Sequence, residues 1–253
     1  MEKADGLVKF KGIIFAASTV DGGLARWLPD HPAFVEDSKG DNVQHFVPPN
    51  AIRSSNQVDL SETLLGACLC GGYQFKTSRP NEASYDLSSE YSDSLIPRYE
   101  GKAHLNPKNE KWWIRSNGTK YAAAICACVD CRKSSGQDFV QWAFVPSVNI
   151  FGKDGSPFDP YGGTLTVYDS SEHGKRYFCK VCGANAFLLL KDRPDLIDVN
   201  VGLLRSKQGS LAEDWLEWFK QRIGFNEEGQ NTELVGALQA GIERDYSSKA
   251  GSK

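Results

Sequence analysis

Seven cysteines in three clusters are the residues of this 253-residue chain whose type and spacing best suit metal chemistry. The clusters are Cys68 with Cys70, then Cys126, Cys128 and Cys131, and finally Cys179 with Cys182. Two pairs far apart in sequence can close a tetrahedral thiolate site, whereas the middle trio can hold a metal with three protein ligands and one open position. We therefore expect one site that holds the fold together and one that can take part in chemistry.

Disulfide bonds are the competing explanation for clustered cysteines. An odd count leaves one thiol unpaired, and spacings of one or two residues suit a metal better than ordinary bridges. The apolar run at residues 13–17 is too short for the core of a signal peptide. We therefore predict a cytoplasmic protein in which the cysteines bind zinc, and the Asn117 sequon is then a chance match.

Composition limits the classes of partner. The formal net charge of -3 gives no electrostatic footprint for nucleic acid, and the paired histidines of a zinc finger are absent. No segment is apolar enough over its length to span a bilayer. Of the four histidines, only His173 lies near a cysteine cluster, as a weak candidate for a pocket residue.

Strands dominate the elements that must position the cysteines. Alternating or apolar runs predict strands over 69–75, 139–145, 164–168, 175–179, 184–190 and 196–201. The βαβ alternation with a glycine-rich phosphate loop is missing, which argues against a nucleotide-binding α/β fold. The central part of the chain is therefore expected to be mainly β.

Helices are predicted only towards the C-terminus. Apolar residues at helical spacing behind Ser210, with Glu213 completing a capping box, predict a helix over 211–223. A second apolar stripe predicts a helix over 232–244. Both stripes are assigned to the core or to a subunit interface, so a homo-oligomer is possible.

The chain is expected to divide into three parts: an N-terminal extension over 1–61, a zinc-binding domain over 62–205 with a long polar insertion over 76–120, and a C-terminal helical segment over 206–253. The insertion contains Trp112 and Trp113, which must be covered by other residues. Packing is the favoured role for this pair, with a ligand platform as the alternative.

The residues that flank the cysteines form three motifs, at 66–72, 126–136 and 163–183. Together these motifs resemble the glutathione-dependent formaldehyde-activating enzyme family, which also includes centromere protein V. The resemblance covers about residues 64–204, and the long separation of Cys70 from Cys126 is similar to that in larger, fungal-type members. It implies a mainly β fold, the zinc-bearing β-tent of Mss4-like proteins, followed here by C-terminal helices.

The resemblance also implies two zinc ions per chain. The positions that match structural zinc ligands are Cys68, Cys70, Cys179 and Cys182, and those that match catalytic zinc ligands are Cys126, Cys128 and Cys131. Two departures stand out, because Ala127 occupies a position where members commonly carry histidine and the 76–120 insertion is much longer than in compact members.

An open site with three thiolates suits a soft sulfur ligand. A glutathione thiolate held there could attack an aldehyde to give an S-hydroxyalkyl adduct, and the reverse direction cleaves a carbon–sulfur bond. With this chemistry, the resemblance implies a zinc-dependent carbon–sulfur lyase, nominally joining glutathione and formaldehyde into S-hydroxymethylglutathione. Two alternatives stay open: an enzyme for another thiol conjugate or aldehyde, and a non-catalytic zinc scaffold.

Candidates for substrate contacts lie beside the trio. Arg132 and Lys133 could offset the negative charge of the site or meet a glutathione carboxylate, and a solvated basic pair is the alternative. Trp142 could wall the pocket, with core packing as the alternative. For proton transfer, the sequence near the trio offers two carboxylates, Asp130 and Asp138, with hydrogen bonding to backbone amides as the favoured alternative for both.

Overall fold

The computed structural model describes residues 9–36, 44–48, 58–97 and 104–250. The strands in these residues are Thr63–Ala67 (β1), Gln74–Ser78 (β2), Ile114–Arg115 (β3), Lys120–Cys126 (β4), Val140–Pro146 (β5), Ile150–Gly152 (β6), Leu165–Asp169 (β7), Gly174–Cys179 (β8), Asn185–Leu190 (β9), Leu196–Asn200 (β10) and Leu216–Trp218 (β11). The α-helices in these residues are Val129–Ser135 (α1) and Thr232–Ala250 (α2), and the connecting segments contain short 3-10 helices.

These strands form two sheets. The larger has eight strands in the order β11-β4-β5-β10-β9-β8-β7, with β3 also paired to β4, and the smaller has the order β1-β2-β6. Neighbouring strands are antiparallel except for β11, which runs parallel to β4. The mainly β prediction is confirmed, and the strands predicted between residues 139 and 201 correspond to β5 and β7–β10.

Both faces of β5 are buried, and this strand has the nearly continuous apolar sequence typical of that position in a sheet. One face packs on the smaller sheet, where the rings of Phe75 and Phe187 meet edge to face with centroids 5.4 Å apart. The other face carries Trp142 and Phe144 in a second core that also includes Cys131. Alternate residues of β5 therefore serve two different cores.

The strand predicted over 69–75 is wrong, because most of this segment is the turn between β1 and β2. The Gly71 amide donates to the Cys68 carbonyl, and Gly71 has a φ of 72°, which favours glycine. A Cβ at Gly72 would lie 2.4 Å from the Thr164 side chain. The glycines therefore mark a tight turn, and β2 begins only at Gln74.

The helix predicted over 211–223 is also wrong. The segment contains β11, and the positive φ of 49° at Ala212 is incompatible with a continuous α-helix. Its large apolar residues are buried by an irregular chain, in which the Trp218 Nε1 group donates to the Leu211 carbonyl at 2.9 Å. The second predicted helix is confirmed as α2, which continues beyond residue 244 to Ala250.

Within the described residues, neither helix has the combination of length and apolar character needed to cross a membrane.

The tryptophan pair of the insertion is buried, as the packing interpretation predicts. Trp113 is fully buried and donates from Nε1 to the Ser84 carbonyl at 3.1 Å. Trp112 meets Phe144 edge to face, with ring centroids 4.9 Å apart. The insertion therefore covers the second core of the larger sheet.

The N-terminal segment, residues 9–36, packs against the C-terminal part of the chain. Trp27 is fully buried and contacts Trp218 edge to face, with ring centroids 5.0 Å apart. The adjacent Arg26 forms ion pairs with Glu213 at 2.9 Å and with Asp245 of α2 at 2.7 Å. Because Trp27 belongs to the same hydrophobic core as Phe75 and Phe187, we expect residues 9–36 to unfold together with the sheets.

Replacing Trp27 by alanine tests this coupling. Trp27→Ala should lower the free energy of unfolding by about 3–5 kcal/mol, since it removes a fully buried aromatic side chain. Ile14→Ala is the control in the same segment, because Ile14 is 47% exposed, and it should change stability by less than about 0.5 kcal/mol. Urea unfolding followed by circular dichroism measures both, and equal effects of the two substitutions would contradict the coupling.

Two candidate metal centres

Four cysteines from two turns form the first candidate centre. The β1–β2 turn supplies Cys68 and Cys70, and the β8–β9 turn supplies Cys179 and Cys182, with all four sulfurs within 4.8 Å of one another. A metal about 2.3 Å from each sulfur of a tetrahedron needs sulfur–sulfur distances of about 3.8 Å. The Cys70 sulfur lies 3.6 Å from those of Cys68 and Cys179, so the cluster has the dimensions of a tetrahedral thiolate site.

Hydrogen bonds prepare one of these thiols for ionisation. Burial opposes ionisation of Cys179, but contacts with the Thr164 hydroxyl and the backbone amides of Cys182 and Val181 lower its pKa to about 6. The Thr164 Oγ1 atom lies 3.1 Å from the Cys179 sulfur. A thiolate is the form that binds a metal, so Cys179 is suited to binding one at neutral pH.

Three cysteines form the second candidate centre where β4 leads into α1. Cys126 ends β4, Cys128 is the N-cap of α1, and Cys131 lies in its first turn, with the three sulfurs within 4.8 Å of one another. The Cys128 sulfur accepts from the Cys131 amide at 3.3 Å, which caps the helix. The helix ends at Gly136, in the left-handed conformation with a φ of 69°.

The buried side of the trio lies against the larger sheet. Cys131 is 1% exposed, whereas Cys126 and Cys128 are half-buried. Trp142 of β5 donates from Nε1 to the Cys131 sulfur at 3.4 Å, and Arg176 of β8 donates from Nη2 to it at 3.7 Å. Access from solvent is therefore on the side of Cys126 and Cys128.

The three thiols of the trio differ in pKa. Hydrogen bonds with Cys126 and Cys128 lower the pKa of Cys131 well below its usual range, against the effect of burial, and the charge of Arg176 and the Trp142 indole act in the same direction. The same hydrogen bonds, together with burial, raise the pKa of Cys126 well above its usual range. Cys131 is therefore the thiol that carries the first negative charge.

The predicted pocket residues lie in different environments. Trp142 is buried against the Cys131 sulfur, Arg132 is half-buried on α1, and Lys133 is exposed. Asp130 is exposed in the first turn of α1. His173 is exposed at the far end of β8 from Cys179, so it is not part of either cysteine cluster.

Two site residues were not predicted from the sequence. Arg176 belongs to the third motif, but its position in a strand gives no sign that it reaches the middle cysteine cluster. Glu228 accepts from the Val129 amide at 3.0 Å and so fixes the start of α1 beside Cys128. The one available signal for a buried charge was that Arg176 directly precedes the aromatic residues Tyr177 and Phe178 of β8.

The two clusters differ in coordination capacity. Among the described residues, no histidine, cysteine or acidic side chain joins the trio as a fourth donor, whereas the first cluster has four. Four thiolate donors fit a closed structural metal site, and three fit a site with one open coordination position. Both clusters could therefore hold a metal ion.

Comparison with known protein families supports two of the three cysteine motifs, those at 126–136 and 163–183. The sequence model of the family described as glutathione-dependent formaldehyde-activating enzyme matches residues 112–221. The predicted family resemblance is confirmed, and these residues carry the signature of that family. The match supports a glutathione-related function of the formaldehyde-activating or a related type.

One similar solved structure is a crystal structure of a Rhodobacter sphaeroides protein, 18% identical to this chain. It covers 61% of this chain and 99% of its own, with a TM-score of 0.31. No curated protein is significantly similar to the chain.

Serine substitutions should separate the two centres. Cys128→Ser and Cys182→Ser are matched because both side chains are half-buried. We expect two metal ions per chain in the unsubstituted protein. Cys128→Ser should retain one ion and nearly the same unfolding midpoint, whereas Cys182→Ser should lower the midpoint by at least about 10 °C, since binding at a structural site is coupled to folding.

Metal analysis by mass spectrometry and thermal unfolding by circular dichroism provide the two measurements. The division into two centres is wrong if Cys128→Ser loses both ions or unfolds as readily as Cys182→Ser.

Proposed function

We propose that the chain is a zinc-dependent carbon–sulfur lyase that interconverts glutathione plus formaldehyde with S-hydroxymethylglutathione. The observation that carries this proposal is the half-exposed three-cysteine cluster inside the family-matched segment. Its three sulfur donors leave a tetrahedral metal one position for a substrate. A thiol is the substrate group best matched to that position, because soft sulfur ligands suit such a site.

The donor set favours zinc over harder cations. Sulfur ligands select zinc, whereas magnesium and calcium prefer oxygen. When bound, zinc would supply a Lewis acid that holds a substrate sulfur in its thiolate form. Cys126, Cys128 and Cys131 would hold it at this centre, and the first cluster would hold the structural ion.

The surrounding residues define the direction of approach. Trp142 closes the inner side of the cluster by its contact with the Cys131 sulfur, and the insertion covers the core around it. Cys126 and Cys128 keep partial exposure, so a small thiol would enter beside them. This arrangement excludes water from the sheet side and leaves Cys126 and Cys128 on the accessible side of the cluster.

The proposed reaction balances without another reactant. The glutathione thiol gives up its proton, the sulfur forms a bond to the formaldehyde carbon, and the carbonyl oxygen receives a proton. Cleavage of the carbon–sulfur bond in the reverse direction returns both reactants. The cluster lowers the barrier by presenting the sulfur as a thiolate next to the aldehyde carbon.

Exchange spectroscopy tests the activity. The protein should speed the exchange between glutathione and its S-hydroxymethyl adduct above the uncatalysed rate, and Cys131→Ser should reduce this acceleration by at least about 100-fold, since it removes a buried ligand of the centre. Gln137→Ala is the control, because Gln137 is exposed just beyond α1, and it should retain the full rate.

The alternatives give different results in the same experiment. Acceleration with another thiol or aldehyde, but not with glutathione and formaldehyde, would indicate a different thiol-conjugate enzyme. Absence of acceleration with every small thiol and aldehyde, in protein that carries both metal ions, would refute the lyase and favour a zinc scaffold.

A further inference from the structure

Arg176 is a buried cation with few partners. The residue is 5% exposed, and the one hydrogen bond of its side chain among the described residues runs from Nη2 to the Cys131 sulfur at 3.7 Å. Its Nε and Nη1 atoms are buried and lack hydrogen-bond partners within the described part of the chain. A buried guanidinium is strongly unfavourable unless negative charge lies nearby.

The nearest buried carboxylate is already neutralised. Asp198 of β10 accepts two hydrogen bonds from Arg193, at 2.7 and 3.0 Å, and both side chains are almost fully buried. Asp198 and Arg176 face each other across Leu188 in the registered strands β10, β9 and β8. Because Arg193 balances Asp198, the charge of Arg176 remains available to the sulfur cluster.

The other cations near the trio are placed differently. Lys133 is exposed and Arg132 is half-buried, and neither forms a hydrogen bond with a cysteine sulfur among the described residues. Exposed charges are screened by water and salt, whereas a buried charge acts over the same distance with less screening. Arg176 is therefore the cation with the greatest electrostatic effect on the cluster.

We infer that Arg176 is a positioning residue that allows the three-cysteine centre to accept an additional anionic sulfur ligand. The inference rests on the proposed function in that the centre holds a divalent metal. Three thiolates and a divalent ion sum to one negative charge, and an incoming thiolate would raise this to two. The guanidinium restores the total to one negative charge, so Arg176 favours an anionic ligand over a neutral one.

The test compares an anionic with a neutral ligand on the full chain loaded with cobalt. The anionic ligand is the thiolate of 2-mercaptoethanol, and the neutral ligand is imidazole. Binding of each to the cobalt-loaded protein is followed by the visible spectrum of cobalt. Arg176→Met should weaken thiolate binding by about 10–100-fold, the range typical when a partner of a metal ligand is lost. Imidazole binding should change by less than about threefold, since it adds no charge to the centre.

Two further variants provide the controls. Lys175→Met removes the same charge from the neighbouring position of β8, where the side chain is 46% exposed, and should leave both affinities unchanged. Arg176→Lys keeps a cation at this position, because the negative charge of the adjacent sulfur cluster favours the charged ammonium, and it should retain thiolate binding within about fivefold of the unsubstituted protein. Retention by lysine separates the effect of charge from that of packing.

Several results would overturn the inference. Equal weakening of thiolate and imidazole binding in Arg176→Met would assign the residue to packing alone, and unchanged binding of both would remove its role. If Arg176→Met does not fold, the Arg176→Lys variant takes its place. Loss of the preference for thiolate over imidazole in Arg176→Lys would then overturn the inference. Thiolate binding by the unsubstituted protein distinguishes the two proposals, because its absence would refute the proposed function as well, whereas its presence without an Arg176 effect refutes this inference only.

Discussion

Assembly of the first cysteine cluster is the constraint on which the rest of the structure depends. The cluster joins Cys70 to Cys179 across 109 positions of sequence, and the entropy of closing so long a loop opposes folding. A metal bound by the four thiolates would offset this cost, since its binding energy would become folding energy. Beneath the cluster, the contact between Phe75 and Phe187 holds the two sheets together. The turn that carries Cys68 and Cys70 is thereby fixed relative to β8.

Strand β8 connects this constraint to the second cluster. It ends at Cys179, a member of the first cluster, and three positions earlier Arg176 reaches the Cys131 sulfur on the other face of the larger sheet. Because side chains alternate along a strand, Cys179 and Arg176 point to opposite faces of the sheet. The pairing of β8 with β7 and β9 fixes where each side chain lies along the sheet. The position of Arg176 beside the three-cysteine cluster therefore depends on the strand that the four-cysteine cluster holds in place. Through β8, the four-cysteine cluster therefore helps to fix the surroundings of the three-cysteine cluster.

The sequence was most informative where the determining interactions are local. Cysteine spacing divided the ligands into the two groups that the structure brings together, and apolar runs located β5 and β7–β10. Local patterns failed at 69–75, where glycines form a turn, and at 211–223, where helical spacing reflects burial by an irregular chain. The contact of Arg176 with Cys131 depends on the register of strands distant in sequence, so no local pattern could predict it.

The C-terminal segment also explains the absence of histidine between the first two cysteines of the trio. Ala127 is 1% exposed, and its amide donates to the Gly224 carbonyl at 2.9 Å. Gly229 packs over the same position, since a Cβ built there would lie 3.8 Å from the Ala127 methyl group. A larger side chain at 127 would therefore displace this segment. The same segment brings Glu228 to the start of α1, so the polar group beside the metal loop comes from the C-terminal part of the chain. The C-terminal segment can therefore pack over this position only because residue 127 is small.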